Sequence, residues 1–292
     1  MNKKINKLLF VSSMAIFGTI AVFVRNIPLP SGEIALYRAL LACLLIGIFL
    51  IVKREGFSLG KIKKALPLLI ASGMAMGANW IFLFEAYNYT SVSTATLSYY
   101  FAPVIVTVVS PILFKERLTA KQIICFVMST VGIVLITFAK DTGESKSNLL
   151  GILLGLSAAF LYATVILLNK FIKDIDGIKR TFLQFVSAII ILIPYVILTD
   201  GVNVGKLNTK GLICLLIVGI IHTGITYCMY FSSMKELEGQ SVAILSYIDP
   251  LVAIILSVFL LSEPMTAQQI IGGVLILGFT LLNELPIKFK KK

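Results

Sequence analysis

Residues 94–124, TATLSYYFAPVIVTVVSPILFKERLTAKQII, return at 241–271 as SVAILSYIDPLVAIILSVFLLSEPMTAQQII, with ten identities at a constant offset of 147. The pairs are Tyr100/Tyr247, Pro103/Pro250, Ser110/Ser257, Leu113/Leu260, Glu116/Glu263, Thr119/Thr266, Ala120/Ala267, Gln122/Gln269, Ile123/Ile270 and Ile124/Ile271. An apolar chain supplies a few alanine or isoleucine matches by chance; the tyrosine, proline, glutamate and Thr-x-x-Gln matches need a common origin. Each copy is a long apolar run, a polar turn, and Thr-x-x-Gln, the capping-box spacing that starts the next helix. Lys115, Arg117 and Lys121 surround the first turn, whereas the second turn carries no Lys or Arg. Basic residues favour the cytoplasmic side of a membrane, so one turn is expected inside and its copy outside.

Working outward, 58% of the 292 residues are hydrophobic and 14% charged, with mean hydropathy +0.97, against a usual charged share of about 25% in soluble domains. A span needs about 20 apolar residues, so ten spans leave roughly eight residues per connector and no room for a separate catalytic or nucleotide-binding domain. The apolar runs predict ten spans, at 8–24, 34–52, 66–87, 92–114, 122–138, 149–169, 182–198, 212–233, 241–261 and 267–282. With a cytoplasmic N-terminus, twenty of the 26 Lys and Arg residues fall inside; both termini are then cytoplasmic, and the net charge of +12 is topological rather than a nucleic-acid footprint. The basic N-terminus resembles a signal peptide, but no small-x-small cleavage site follows, and the repeat needs this helix. Cys43, Cys125, Cys214 and Cys228 lie in apolar runs and read as small hydrophobes.

The expected fold is therefore all-α and integral to the membrane, with ten transmembrane helices as two inverted five-helix repeats. The repeats are expected at 1–140 and 149–292, joined by an external connector at 141–148. Inverted repeats of odd span number are an architecture of alternating-access carriers, with the binding site near the midplane.

Phe17-Gly18, Arg38, the stretch Gly77-Ala78-Asn79-Trp80-Ile81-Phe82-Leu83-Phe84-Glu85-Ala86, Pro103, the Glu116-Arg117-Leu118-Thr119 turn and its counterpart Glu263-Pro264-Met265-Thr266 resemble, in order and spacing, the EamA family of the drug/metabolite transporter superfamily. The resemblance covers essentially the whole chain. It implies a 5+5 fold, a cavity lined mainly by the first, third, fourth, sixth, eighth and ninth helices, and secondary transport of small metabolites, often as export. Phe17 stands where the family often has Trp, and Glu85 where an apolar residue is common.

Ionisable and polar side chains inside a bilayer are costly and mark candidate functional positions. Asp249 lies near mid-span beside Pro250, on a stripe with Ser246, Ala253 and Ser257 at helical spacing. Its repeat partner is Ala102 beside Pro103, and both prolines are candidate hinges, since proline removes a backbone donor. His222, the one histidine, titrates near physiological pH and is a candidate for carrying a coupling proton; its helical stripe includes Thr226 and Tyr230. Asn79, Trp80, Tyr99, Tyr100, Tyr162 and Tyr230 are candidates for a pocket wall. Arg38 is expected to pair with Glu33 or Glu85 in an outer vestibule or gate, with anion recognition as the alternative. Gly73-x-x-x-Gly77 and Gly151-x-x-x-Gly155 are expected to pack within one chain.

The sequence carries no Walker A loop, metal-ligand spacing or catalytic triad, so no enzyme and no cofactor are expected. The expected function is a secondary active transporter in the cell membrane, moving a small polar or amphipathic metabolite of the amino acid or organic cation class, with protons as the candidate coupling ion. The partners are a small-molecule substrate and the lipid bilayer, not nucleic acid; the oligomeric state is left open. The alternative is a channel-like or lipid-handling scaffold whose polar residues only hold helices together.

Overall fold

In a bilayer each peptide group must find its partner within its own segment, so apolar runs of this length form helices. The computed structural model of the chain describes residues 3–54, 56–114, 119–139, 147–172, 175–199, 201–234, 236–237 and 239–285. Lys115, Glu116 and Arg117 of the first repeated turn, and most of the expected 141–148 connector, lie outside the described residues. Among those described, nine helices are long and apolar enough to cross a membrane: Lys4–Val24, Ser31–Val52, Leu59–Tyr89, Val92–Phe114, Ala120–Thr137, Asn148–Phe171, Gly177–Leu198, Thr209–Met234 and Ala267–Glu284. These are the first to eighth and the tenth of the expected spans. The ninth is present as a shorter apolar helix, Ile244–Phe259.

The third span begins at Leu59 rather than at the expected residue 66 and carries Pro67 inside it. The added turns hold Lys61, Lys63 and Lys64, so the helix projects past the apolar layer. Hydropathy marks where the bilayer ends, and the helix does not have to stop there. Thr119 and Thr266 each accept from the backbone of the glutamine three residues on, and each glutamine reaches back to its cap, completing the two capping boxes.

The fifth and tenth spans pack against each other through glycines. A Cβ on Gly132 would lie 2.7 Å from the carbonyl oxygen of Gly272, and one on Gly272 would lie 2.6 Å from that of Gly132. Gly73 and Gly77 seat the third span on Gln184, Ser187 and Ala188 of the seventh, and Gly151 and Gly155 seat the sixth on Thr90, which caps the third, and on Ser98 of the fourth. Both glycine pairs are thus occupied within the chain. The first span packs on the eighth and ninth segments, the second on the seventh and eighth, and the fourth on the sixth and ninth. Large apolar side chains such as Leu44, Ile48, Ile190 and Val274 are left on the outer surface, as a lipid-facing perimeter requires.

Candidate functional site

Three segments are broken where they meet, two of them beside a proline. The fourth span consists of Val92–Tyr99 and Ala102–Phe114, and the ninth of Gly239–Ser246 and Ile248–Phe259. Pro103 and Pro250 cannot donate to the carbonyls four residues earlier, Tyr99 and Ser246. The chain instead tightens, with Phe101 N bonding Ser98 O at 3.2 Å and Tyr247 N bonding Ile244 O at 3.3 Å. Repeat partners Tyr100 and Tyr247 occupy the two breaks. The first span breaks at Thr19, between Lys3–Gly18 and Ile20–Val24.

At the crossing of two of these breaks, Tyr100 Oη donates to Asp249 Oδ2 at 2.5 Å. A Cβ on Gly18 would lie 2.5 Å from the Asp249 carbonyl oxygen and 2.7 Å from Val252 Cβ. Gly18 is therefore where the first span runs against the ninth, and only glycine permits that approach. Asp249, Tyr99, Tyr100, Tyr227 and Tyr230 all keep partial exposure although they lie well inside their segments, so they line internal space. Tyr99 stands 5.3 Å from Tyr162 and 5.8 Å from Tyr100 between ring centroids. On the facing side Phe17 touches Tyr227 and Tyr230, and Tyr227 continues through Phe185 to Trp80. Asp249, Tyr99, Tyr100, Tyr162 and Tyr230 are thus brought together, and Trp80 joins them through Phe185, which sequence reading did not single out.

Asn79 is placed differently. Its amide donates to Ala158 O at 2.6 Å and is 2% exposed, tying the third span to the sixth rather than facing the wall.

The eighth span is not a plain α-helix. Residues Ile217–Ile225 form a π-helix, a geometry often found at functional sites, so the expected stripe of His222 with Thr226 and Tyr230 does not follow helical spacing. The side chains here turn back by five residues: Thr223 Oγ1 donates to Val218 O at 2.8 Å and Thr226 Oγ1 to Ile221 O at 2.7 Å. His222, 2% exposed, has Nε2 2.7 Å from Thr19 Oγ1 and Nδ1 3.3 Å from Ile217 O. It does not contact Asp249. The two are linked through the kink in the first span, where Gly18 meets Asp249 and Thr19 meets His222.

The expected partnership of Arg38 with Glu33 or Glu85 does not form. Glu33 accepts from the backbone N–H of Asn203 at 2.9 Å and from its side-chain amide at 2.7 Å. Glu85 accepts from Ser31 Oγ at 2.6 Å and from Asn88 Nδ2 at 3.3 Å. Both acids thus find neutral donors, from the connector after the seventh span for Glu33 and from the second and third spans for Glu85. Arg38 instead donates from Nε to Thr223 Oγ1 at 2.7 Å and lies over the rings of Trp80, 4.4 Å from the centroid, and Phe84 at 5.5 Å.

The ion pair at the Val24 end belongs to residues that sequence reading left aside. Arg25 pairs with Glu263 and donates from Nη2 to the carbonyls of Tyr87 at 3.0 Å and Thr90 at 2.9 Å. Glu263 also accepts from Val92 N at 2.8 Å and from Ser257 Oγ, and Ser257 accepts from Ser93 N at 3.1 Å. Ser257 therefore serves this network, not the Asp249 stripe. The cluster joins the ends of the first, third, fourth and ninth segments. The signal for it was the Glu116/Glu263 identity, which reads from sequence as part of a capping turn.

Comparison with known proteins places the chain within a family. The EamA-like transporter family matches twice, over residues 5–138 and 149–284. The chain is 31% identical over 268 residues to the uncharacterized transporter YxxF of Bacillus subtilis (strain 168), covering 91% of this chain and 85% of that one. It is 25% identical to a probable amino-acid metabolite efflux pump of Escherichia coli (strain K12), covering 80% and 82% of the two chains. A solved crystal structure superposes with a TM-score of 0.63 over 97% of both chains at 16% identity, which shows a shared fold. These similarities point to membrane transport rather than enzymatic chemistry. With the family matching almost end to end on a multi-pass helical chain, the protein belongs to the EamA-like transporter family.

Proposed function

We propose that the protein is a secondary active carrier of the cell membrane, exporting a small polar or amphipathic metabolite of the amino acid or organic cation class by alternating access. The observation that carries this reading is the Tyr100–Asp249 bond at the crossing of two broken segments, facing a tyrosine-lined space. A carboxylate there, with a single hydrogen bond among the described residues, is suited to bind a cationic group. Phe17, Tyr99, Tyr162, Tyr227 and Tyr230 supply the aromatic wall, and Pro103 and Pro250 the hinges about which the segments bend.

In this reading residues 1–140 and 149–292 are inverted five-span repeats, both termini are cytoplasmic, and the Val24 end is external. The Arg25–Glu263 cluster then seals the external side, and the cargo reaches Asp249 from the cytoplasm. Protons are the coupling ion, and His222 is their carrier. The imidazole and the carboxylate communicate through the Gly18-Thr19 kink, so a change at His222 alters how the first span rests on the ninth.

The test is charge movement and counterflow in proteoliposomes with a panel of amino acids and organic cations, with and without a pH step. Saturable flux lost in Asp249→Asn, with the variant still folded, supports the proposal. Wild-type flux in that variant removes Asp249 from the mechanism, and non-saturable leakage in the unmodified protein would replace the carrier with a pore.

A further inference from the structure

We infer that Arg38 reads an anionic group on the cargo, so that the transported molecule carries a carboxylate in addition to any cationic group, and simple organic cations are poor substrates. This rests on the carrier reading above and narrows its substrate class.

Arg38 is the eighth residue of the Ser31–Val52 helix, about 10 Å below its end at a rise of 1.5 Å per residue. A guanidinium at that depth needs a compensating partner, and the carboxylates nearest in sequence are engaged elsewhere. Among the described residues, its hydrogen bonding consists of the Nε–Thr223 bond. Thr223 donates its own proton to Val218 O, so its oxygen accepts from Nε and the tether has one sense. The guanidinium carbon lies over the Trp80 ring, in a cation–π contact that restrains the group.

What remains is the Nη1/Nη2 edge. Among the described residues neither nitrogen has a hydrogen-bond partner, yet neither is among the fully buried side-chain atoms lacking one, so the edge opens onto internal space although the residue as a whole is 5% exposed. A guanidinium held by its stem and one face, with two parallel N–H groups unengaged, is the arrangement that grips a carboxylate bidentately. A packing role alone would be filled as well by an uncharged side chain and would leave no open fork. Tyr87, Tyr99 and Tyr227 lie within electrostatic range of both Arg38 and Asp249, while Arg38 and Asp249 form no ion pair with each other. The two charges thus flank the same tyrosines, of which Tyr99 and Tyr227 line the internal space. A cation in that space satisfies Asp249 and leaves Arg38 unmatched; a molecule bearing both charges satisfies both.

Trp80 is the single tryptophan of the chain and lies directly under Arg38, so its fluorescence reports on this edge without any transport. The full-length protein in nanodiscs is titrated with leucine and with isopentylamine, which is leucine without its carboxylate. A second pair, 6-aminohexanoate and pentylamine, widens the separation of charges. At least one carboxylate-bearing probe is expected to change Trp80 emission saturably, at least tenfold more tightly than its matched amine. Arg38→Gln is expected to abolish that preference and Arg38→Lys to retain part of it. Equal binding of amine and amino acid, no response to either carboxylate-bearing probe, or a preference that survives in Arg38→Gln would overturn the inference. The probe comparison within the unmodified protein stands even if a variant fails to fold. Binding without flux in proteoliposomes would remove the carrier and keep the anion site; flux indifferent to the carboxylate would do the reverse.

Discussion

Glu263→Gln isolates the cluster at the Val24 end. The substitution keeps the shape of the side chain but leaves the Arg25 charge unmatched and turns one of two acceptor oxygens into a donor, facing Arg25 on one side or Val92 N on the other. Removing one member of a buried pair costs about 3–5 kcal/mol. The Arg25 side chain retains 28% exposure and Glu263 7%, and Arg25 keeps two carbonyl acceptors, which brings the loss down to about 2–3 kcal/mol, at and below the bottom of that range. If the cluster holds one end of the carrier shut, that energy is withdrawn from the closed state, and at 1.4 kcal/mol per decade the closed-to-open ratio falls roughly 30- to 150-fold. Ser93, fully buried beneath the cluster, supplies the reporter: Ser93→Cys in a background without the four native cysteines, labelled with a membrane-impermeant maleimide. Its labelling rate is expected to rise by that factor in Glu263→Gln, and by a similar factor in Arg25→Gln. In the double variant the two effects are expected to combine to less than their product, because both remove the same pair. Labelling that changes less than threefold in both single variants while the melting temperature drops would reduce the cluster to a structural staple and refute the gating role.

Other expectations are independent of this one. Gly132→Val forces a side chain against the Gly272 carbonyl and is expected to cost about 1–3 kcal/mol; Gly278→Ala, where no atom lies within 4 Å, is the matched control, and thermal unfolding in detergent separates them. Thr266→Ala removes an observed capping box and should lower stability by about 1 kcal/mol, read as a fall in melting temperature that Thr266→Ser largely avoids. Gly18→Val should abolish flux by pushing the first span off the ninth, with Trp80 emission reporting whether the rest of the bundle survives. If His222 carries the coupling proton, His222→Gln retains exchange of substrate for substrate but loses acceleration by a pH gradient; acceleration unchanged in that variant would assign the proton elsewhere.

Much of the frame was legible before any coordinates. Hydropathy located the spans within a few residues, except where Lys61, Lys63 and Lys64 carry the third helix past the apolar layer. Thr-x-x-Gln at 119–122 and 266–269 predicted caps that form as expected, because a capping box depends on residues three apart and nothing else. Pro103 and Pro250 marked the breaks for the same local reason. The pairing of charges was not legible. Arg38 was expected near Glu33 and Glu85, but those acids took neutral donors from other segments, Asn203 and Ser31. An ion pair instead joined Arg25 and Glu263 across the bundle. Asn79 and Tyr99 looked alike as candidates, and only helix rotation separated a helix tie from a cavity wall.

Composition, periodicity and the 147-residue offset were enough to determine a multi-pass helical chain with a duplicated core, since membrane insertion and helix formation are governed by short stretches of residues. Which polar groups meet was decided by tertiary structure. The glycine crossings at 18, 132 and 272 set how closely helices approach, the π-helix at Ile217–Ile225 rotates Thr223 toward Arg38, and the kinks bring Asp249 to Tyr100 from a distance of 149 residues. A local pattern records what a residue can do; its partner depends on the rotation and depth of a second helix, and no single segment of the chain encodes both.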